Sequence, residues 1–371
     1  MTRIDQTVGG IAAGLVALAL SGMTLTGQAL AQEPPEYRVD PSWPTMPEGE
    51  ILGQVAGIAV DGQDHIWIIQ RPGSLTEDEA GAAQNPPRST CCAPMSPVVE
   101  FDQDGNVVQQ WGGPGEGYDW PENEHGIFVD QNDNVWIAGN GENDHQVLKF
   151  SRDGTFLLQI GRPGETGGSN DTELLGRPAD IEVDPETNEA YIADGYQNRR
   201  VIVFDGESGE YLRHWGAYGE EPNDGELTAY DPEAEPVNTF GNPVHCVRIA
   251  DDGLVYVCDR VNNRIQVFQK DGTFVEEFVF NRETLGNGSI WDLDLSPDEA
   301  QTWLHNADGE NNEIQTINRE AGELVDRFAR HGRYAGQLHW VHNLVLDSSG
   351  NIFTAEVDTG KRAQKFELVS Q

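Results

Sequence analysis

The chain has 371 residues, with 23 Lys and Arg against 63 Asp and Glu, a formal net charge of −40. A field of that sign repels nucleic acid and anionic membrane surfaces, so neither is expected as a partner. The acidic residues are scattered rather than blocked, which reads as a solvated surface suited to high salt rather than a cation store.

Residues 1–31 read as a secretory leader: Arg3, an apolar run from Ile11 to Leu20, then a small-x-small cleavage site at Ala29-Leu30-Ala31. The run is short for a bilayer span and no other stretch is long and apolar enough, so no membrane anchor is expected. The mature chain, 32–371, is expected to be secreted or periplasmic and to form one domain.

A short alternating stretch, Tyr37-Arg-Val-Asp40, comes first. Six copies of one core follow: Ala56-Gly-Ile-Ala-Val-Asp61, His125-Gly-Ile-Phe-Val-Asp130, Ala179-Asp-Ile-Glu-Val-Asp184, His245-Cys-Val-Arg-Ile-Ala250, Trp291-Asp-Leu-Asp-Leu-Ser296 and His342-Asn-Leu-Val-Leu-Asp347. After each come a polar turn and a second strand with a central aromatic, namely Trp67, Trp136, Tyr191, Tyr256, Trp303 and Phe353. A third strand, an Asp-Gly type turn and an outer strand complete the unit, as in Arg264-Ile-Gln-Val-Phe268 with Asp271-Gly272. Four-stranded units at this period predict an all-β fold, a six-bladed β-propeller. The last repeat stops after its third strand, so Tyr37–Asp40 is the candidate to complete it, the alternative being a short blade. Two loop insertions, 72–96 and 217–240, are expected on one face of the disc.

Cys246 and Cys258 flank the Asp251-Asp252-Gly253 turn symmetrically, so a cross-strand disulfide is geometrically open to them. Cys91 and Cys92 are adjacent in the first insertion, either bonded to each other or free.

The first column of the core reads Ala, His, Ala, His, Trp, His. In a closed ring, His125, His245 and His342 then surround the axis with near three-fold spacing, and three converging imidazoles make a metal site with an open position. The bland reading is that each histidine caps or packs at its strand start; the alternation on so scarce a residue, 9 in 371, favours the metal site. Trp291 reads as a channel-wall aromatic and His339 as peripheral, and the remaining histidines follow no repeat logic.

The blades resemble NHL-type repeats, and the constellation resembles the peptidyl-α-hydroxyglycine α-amidating lyase (peptidylamidoglycolate lyase) family. The stretches that carry the likeness are Gly53 through Asp61 to Arg71, His125-Gly-Ile127, Ala193-Asp-Gly-Tyr-Gln-Asn-Arg199, Asp259-Arg-Val-Asn-Asn-Arg-Ile265 and Val341-His-Asn343. The resemblance implies Zn²⁺ on His125, His245 and His342, with Tyr196 as the catalytic tyrosine. Arg71 matches the active-site arginine and Arg260 a second arginine lining the site, with the carboxylate-binding role open between them. It also implies a structural Ca²⁺ on the carbonyls of Ile58 and Ile127 and on Asn343, which stands where the family has Asp; Asn can still offer an oxygen but brings no charge, which leaves a retained, a weaker or an absent site open. The implied activity is cleavage of the C–N bond of a peptidyl- or N-acyl-α-hydroxyglycine, a small-molecule or peptide substrate bearing a carboxylate, to an amide and glyoxylate. Taken singly, Arg71 and Arg260 read equally well as partners for nearby acids, and Tyr196 as an aromatic packed on the disc face. The competing functions are a non-catalytic NHL-type binding module outside the cytoplasm and another propeller enzyme, such as a lactonase or a cyclic-depsipeptide lyase. A three-histidine ring argues against the carboxylate-rich channel of a lactonase.

Overall fold

In the computed structural model, residues 33–370 are described; the expected leader lies outside them. Six four-stranded antiparallel sheets are arranged as blades. Their inner strands are Gln54–Val60, Glu124–Val129, Asp180–Val183, Val244–Ile249, Asp292–Leu295 and Val341–Leu346, one per aligned core. Second and third strands such as Val135–Gly139 and Gln146–Phe150 are buried at every residue, because both faces of a blade pack against neighbours. Outer strands such as Phe274–Val279 lie at the rim and are half solvated.

The Asp that ends most cores has a local task. Asp61 Oδ1 accepts from the amides of Gln63 and His65, each at 2.9 Å, which shapes the turn to the second strand. Its other oxygen accepts from Trp67 Nε1 at 3.0 Å, and Asp130 holds Trp136 at the same distance. The repeat signature of Asp and central aromatic is therefore one hydrogen-bonded unit inside each of these blades.

The ring closes through the N-terminal segment. Glu36–Asp40 pairs antiparallel with Arg362–Ser370, Val39 facing Phe366, and supplies the outer strand of blade 6. Tyr37 stacks on Phe328 of blade 5 with centroids 5.0 Å apart, and its hydroxyl lies 3.1 Å from His305 Nε2. Short last-blade geometry is thereby ruled out.

Inner strands begin, and second strands end, on the same face of the disc, as does each outer strand. Both insertions leave from that face. Lys361 Nζ donates to the Ser74 carbonyl at 2.9 Å, and Arg199 Nη1 to the carbonyls of Asn223 and Gly225 at 2.9 and 2.7 Å, tying the insertions to the turns after the second strands of blades 6 and 3. Cys246 is bonded to Cys258 and Cys91 to Cys92. Among the described residues, no helix is long and apolar enough to cross a membrane.

Candidate metal centre in the channel

The inner strands of blades 1, 2, 4 and 6 each slip register by one residue at the first column of the core, for instance between Val341 and Asn343. Such a bulge leaves one residue outside the ladder and re-aims its side chain. On blades 2, 4 and 6 that residue is at or beside His125, His245 and His342. The three rings meet with centroid separations of 4.6, 4.9 and 5.1 Å, close to an equilateral triangle. One ligand nitrogen from each lies within 4.8 Å of the others, so the group is able to hold a metal ion.

Each imidazole is oriented by the next blade. His125 Nδ1 donates to the Ala179 carbonyl at 2.7 Å, His245 Nδ1 to Trp291 at 2.5 Å and His342 Nδ1 to Ala56 at 2.6 Å. A carbonyl only accepts, so Nδ1 carries the proton and Nε2 presents its lone pair to the channel. The neighbouring strand must come close for this. A Cβ on Gly126 would lie 2.6 Å from that same Ala179 oxygen, which explains the Gly after His125. All three rings are buried. Burial first, then neighbouring histidine and arginine charge, pushes His125 and His245 well below the usual imidazole range and His342 down to about 3. The rings are neutral at physiological pH, the state a metal ligand requires.

The remaining sequence-predicted groups come from second-strand exits. Arg71 ends Ile66–Arg71, Tyr196 follows Glu189–Asp194 by two residues and Arg260 follows Leu254–Asp259. The turn bearing Tyr196 is pinned by Asp194, which accepts from Gly176 N at 2.7 Å, Asn198 Nδ2 at 2.7 Å and Arg200 Nε at 2.9 Å. Asp259 and Arg264 repeat the arrangement beneath Arg260, at 2.7 Å. Much of the two motif stretches is thus scaffold. Gly195 fits because a Cβ there would meet the Val244 carbonyl at 1.9 Å.

The Tyr196 hydroxyl lies 2.9 Å from His125 Nε2 and 3.2 Å from His245 Nε2, and it accepts from Arg260 Nη1 at 3.2 Å. Arg260 is buried, with its guanidinium 4.5 Å from the Trp291 ring centroid and its Nε without a partner. Arg71 donates from Nε to the Glu124 carbonyl at 2.7 Å and from Nη1 to Gln54 Oε1 at 2.9 Å. Burial pulls Arg71 below the usual guanidinium range, yet it remains charged. Trp291 stands edge-on to His245 and His342 at 5.8 and 5.6 Å, a channel wall as its column suggests. His339 pairs with Asp358 at 2.9 Å and is peripheral to the centre.

Sequence reasoning missed three neighbours. Arg177, at φ 60°, puts its guanidinium 5.9 Å from the Tyr196 ring, a third cation at this mouth. Glu124, immediately before His125, holds Trp120 Nε1 at 2.9 Å. Trp340 packs edge-on to Trp291 at 5.4 Å. In the sequence, Glu124 stands immediately before the histidine column and Arg177 two residues before Ala179 of the same column. A second acidic and histidine group, Asp61, His65 and Glu100, is already bridged by Arg152, which lies 2.9 Å from Asp61 and pairs with Glu100.

Fold and centre together define the class: a six-bladed propeller with a three-histidine group in its channel and a tyrosine and arginines over it. The NHL repeat family matches residues 244–268, which is blade 4 from its inner to its third strand. Peptidylglycine alpha-amidating monooxygenase of Rattus norvegicus is 24% identical over 334 residues, 86% of this chain and 31% of its own length. Peptidyl-alpha-hydroxyglycine alpha-amidating lyase 1 of Drosophila melanogaster is 27% identical over 254 residues, 65% of this chain and 42% of its own. The chain is a homologue of the peptidyl-α-hydroxyglycine α-amidating lyases, and spans less than half the length of these relatives. Among solved structures, virginiamycin B lyase of Staphylococcus aureus superposes with TM-score 0.51 at 14% identity, covering 89% of this chain and 88% of that one, a likeness of fold.

Proposed function

We propose that this chain is a zinc-dependent carbon–nitrogen lyase, acting outside the cytoplasm on peptidyl- or N-acyl-α-hydroxyglycine. The observation that carries the reading is the contact of the Tyr196 hydroxyl with two of three converging, neutral Nε2 atoms. Three neutral nitrogens with no carboxylate among them suit Zn²⁺ and leave a fourth position for substrate oxygen. Bound there, the ion would act as a Lewis acid toward the substrate hydroxyl.

The chain's own residues account for the rest. The substrate R–CO–NH–CH(OH)–COO⁻ loses its hydroxyl proton, the O–H electrons form the glyoxylate C=O, and the C–N pair leaves with the nitrogen. That nitrogen takes up a proton to give R–CO–NH₂, so the step balances with no co-reactant. Tyr196 is the base: its oxygen is at the triangle's edge, and Arg260 donates to the atom that acquires negative charge. Arg71 has two of its three nitrogens held by Glu124 and Gln54, leaving Nη2 to receive the substrate carboxylate. Arg71, Arg177 and Arg260 make a basic mouth on a chain of net charge −40, which focuses anionic substrates there.

The test is glyoxylate release from N-benzoyl-α-hydroxyglycine by the purified protein, beside a Tyr196→Phe variant. Release by the wild type and loss in the variant supports the lyase. No release by zinc-loaded wild type rejects this substrate class, and no bound zinc rejects the enzyme in favour of a binding module.

A further inference from the structure

The aligned core carries a second alternation, in its second and fourth columns. Blade 3 contributes Asp180 and Glu182, blade 5 Asp292 and Asp294, and blade 4, between them, Arg248. Arg248 Nη1 pairs with Asp180 Oδ2 at 2.5 Å and lies 3.8 Å from Glu182 Oε2; Nη2 pairs with Asp292 Oδ1 at 2.8 Å. The guanidinium side chain is 12% exposed, those of Asp180 and Asp292 3% and 0%, so this is an interior cluster rather than a rim pair. The carboxylates are held in turn. Asp292 Oδ2 accepts from Asn343 Nδ2 and Leu344 N, both at 3.0 Å, Glu182 Oε1 from Ile249 N at 2.9 Å and Asp294 Oδ2 from Leu346 N at 2.6 Å. One cation therefore links blades 3, 4 and 5 directly and blade 6 through Asn343.

Arg248, Glu182 and Asp294 line a cavity of about 220 Å³ together with Ile58 and Ile127. Those two isoleucines are the positions whose carbonyls the family likeness assigns to calcium, with Asn343 as third ligand. Asn343 is poorly placed for that task. Its Oδ1 accepts from His342 Nδ1 at 2.5 Å, and its Nδ2 faces Asp292. Turning the amide over would set its oxygen against a carboxylate and its NH₂ against an N–H. A divalent ion also wants six to eight oxygens, and here the nearby carboxylates already converge on a buried guanidinium.

We infer that the Arg248 guanidinium takes the place of a structural calcium ion in this propeller, bracing the channel with an internal cation. The brace reaches the metal centre through the relay Asp292 to Asn343 to His342, so the orientation of His342 is set without a second ion. This is independent of the substrate proposed above.

Thermal unfolding tests it. Protein freed of metal with chelator, then returned to zinc-containing buffer, is compared with and without about 1 mM Ca²⁺, the weak end of calcium-module affinities. The wild type is expected to melt at the same temperature in both, and to bind no calcium by isothermal titration. Arg248→Ala is expected to melt lower by about 10 °C, since it strands buried carboxylates, and to regain part of that loss when Ca²⁺ is added. Arg248→Met, which keeps the bulk, separates loss of charge from loss of packing and should show the same calcium rescue. Stoichiometric calcium binding by the wild type with a raised melting temperature would overturn the inference. So would soluble Arg248 variants whose melting is unchanged, or lowered without any response to calcium. If neither variant folds, the wild-type titration alone decides.

Discussion

Replacing Tyr196 by Phe removes one oxygen and leaves the ring. In the structure that oxygen touches His125 Nε2, His245 Nε2 and Arg260 Nη1 at 2.9, 3.2 and 3.2 Å. None of these contacts orients a histidine, because each ring is fixed from its Nδ1 side by a backbone carbonyl. The variant should therefore keep its metal. Its stability should fall by about 1 kcal/mol, the net worth of a hydrogen bond, seen as a melting shift of no more than about 3 °C. The reaction loses its base, a change of about 10² to 10⁴ in kcat, or about 3–5 kcal/mol on the barrier. KM should change little, since Arg71 and the metal position remain. Steady-state glyoxylate assays, with zinc content measured on the same preparation, check all three. A kcat within about fivefold of wild type would refute the assignment of Tyr196 as base. Loss of zinc with the hydroxyl would refute the argument that the rings are held from their Nδ1 side, independently of Tyr196.

Three further outcomes follow from particular contacts. Arg71→Ala should raise KM for carboxylate-bearing substrates by about 10²-fold while a substrate amide, lacking that charge, is affected far less; equal effects on both would contradict the carboxylate role. Cys246 sits beside His245 in the bulge and is bonded to Cys258 across it, so Cys246→Ala/Cys258→Ala should weaken zinc affinity about tenfold by competition with a chromophoric chelator, and unchanged affinity would count against the clamp. His305 is buried and pushed down to about 3 by that burial, below its unfolded value of about 6.5, so the unfolded chain binds the extra proton between those values. Stability should accordingly fall as pH drops from about 6.5 toward 3, and His305→Asn should flatten that slope in denaturant titrations; an unaltered slope would refute it.

Much of the architecture was readable because the repeat fixes register. A period of two within each core and Asp–aromatic spacing give the blades, and the same alignment places three histidines in one column. The alternating Tyr37–Asp40 stretch was enough to complete blade 6. What could not be read is what depends on a neighbouring chain segment. The bulges at His125, His245 and His342 are two-against-one pairings with a partner strand, and the Nδ1 acceptors are backbone atoms of the next blade. Cys91 and Cys92 were undecided because adjacency alone permits either state. Arg177 needed the left-handed turn that carries it to Tyr196. Arg248 is different: its column, with acids on either side in blades 3 and 5, was on view in the same alignment, and its meaning emerges only once those columns are known to share the channel.

The central claim is a zinc site built from His125, His245 and His342. The direct measurement is metal content of the purified protein, after dialysis and zinc resupply, beside His245→Ala. One zinc per chain in the wild type, with a coordination shell of nitrogen and oxygen only by X-ray absorption, and none in the variant, is the predicted result. Wild-type protein without zinc, or zinc retained in full by His245→Ala, would contradict the account.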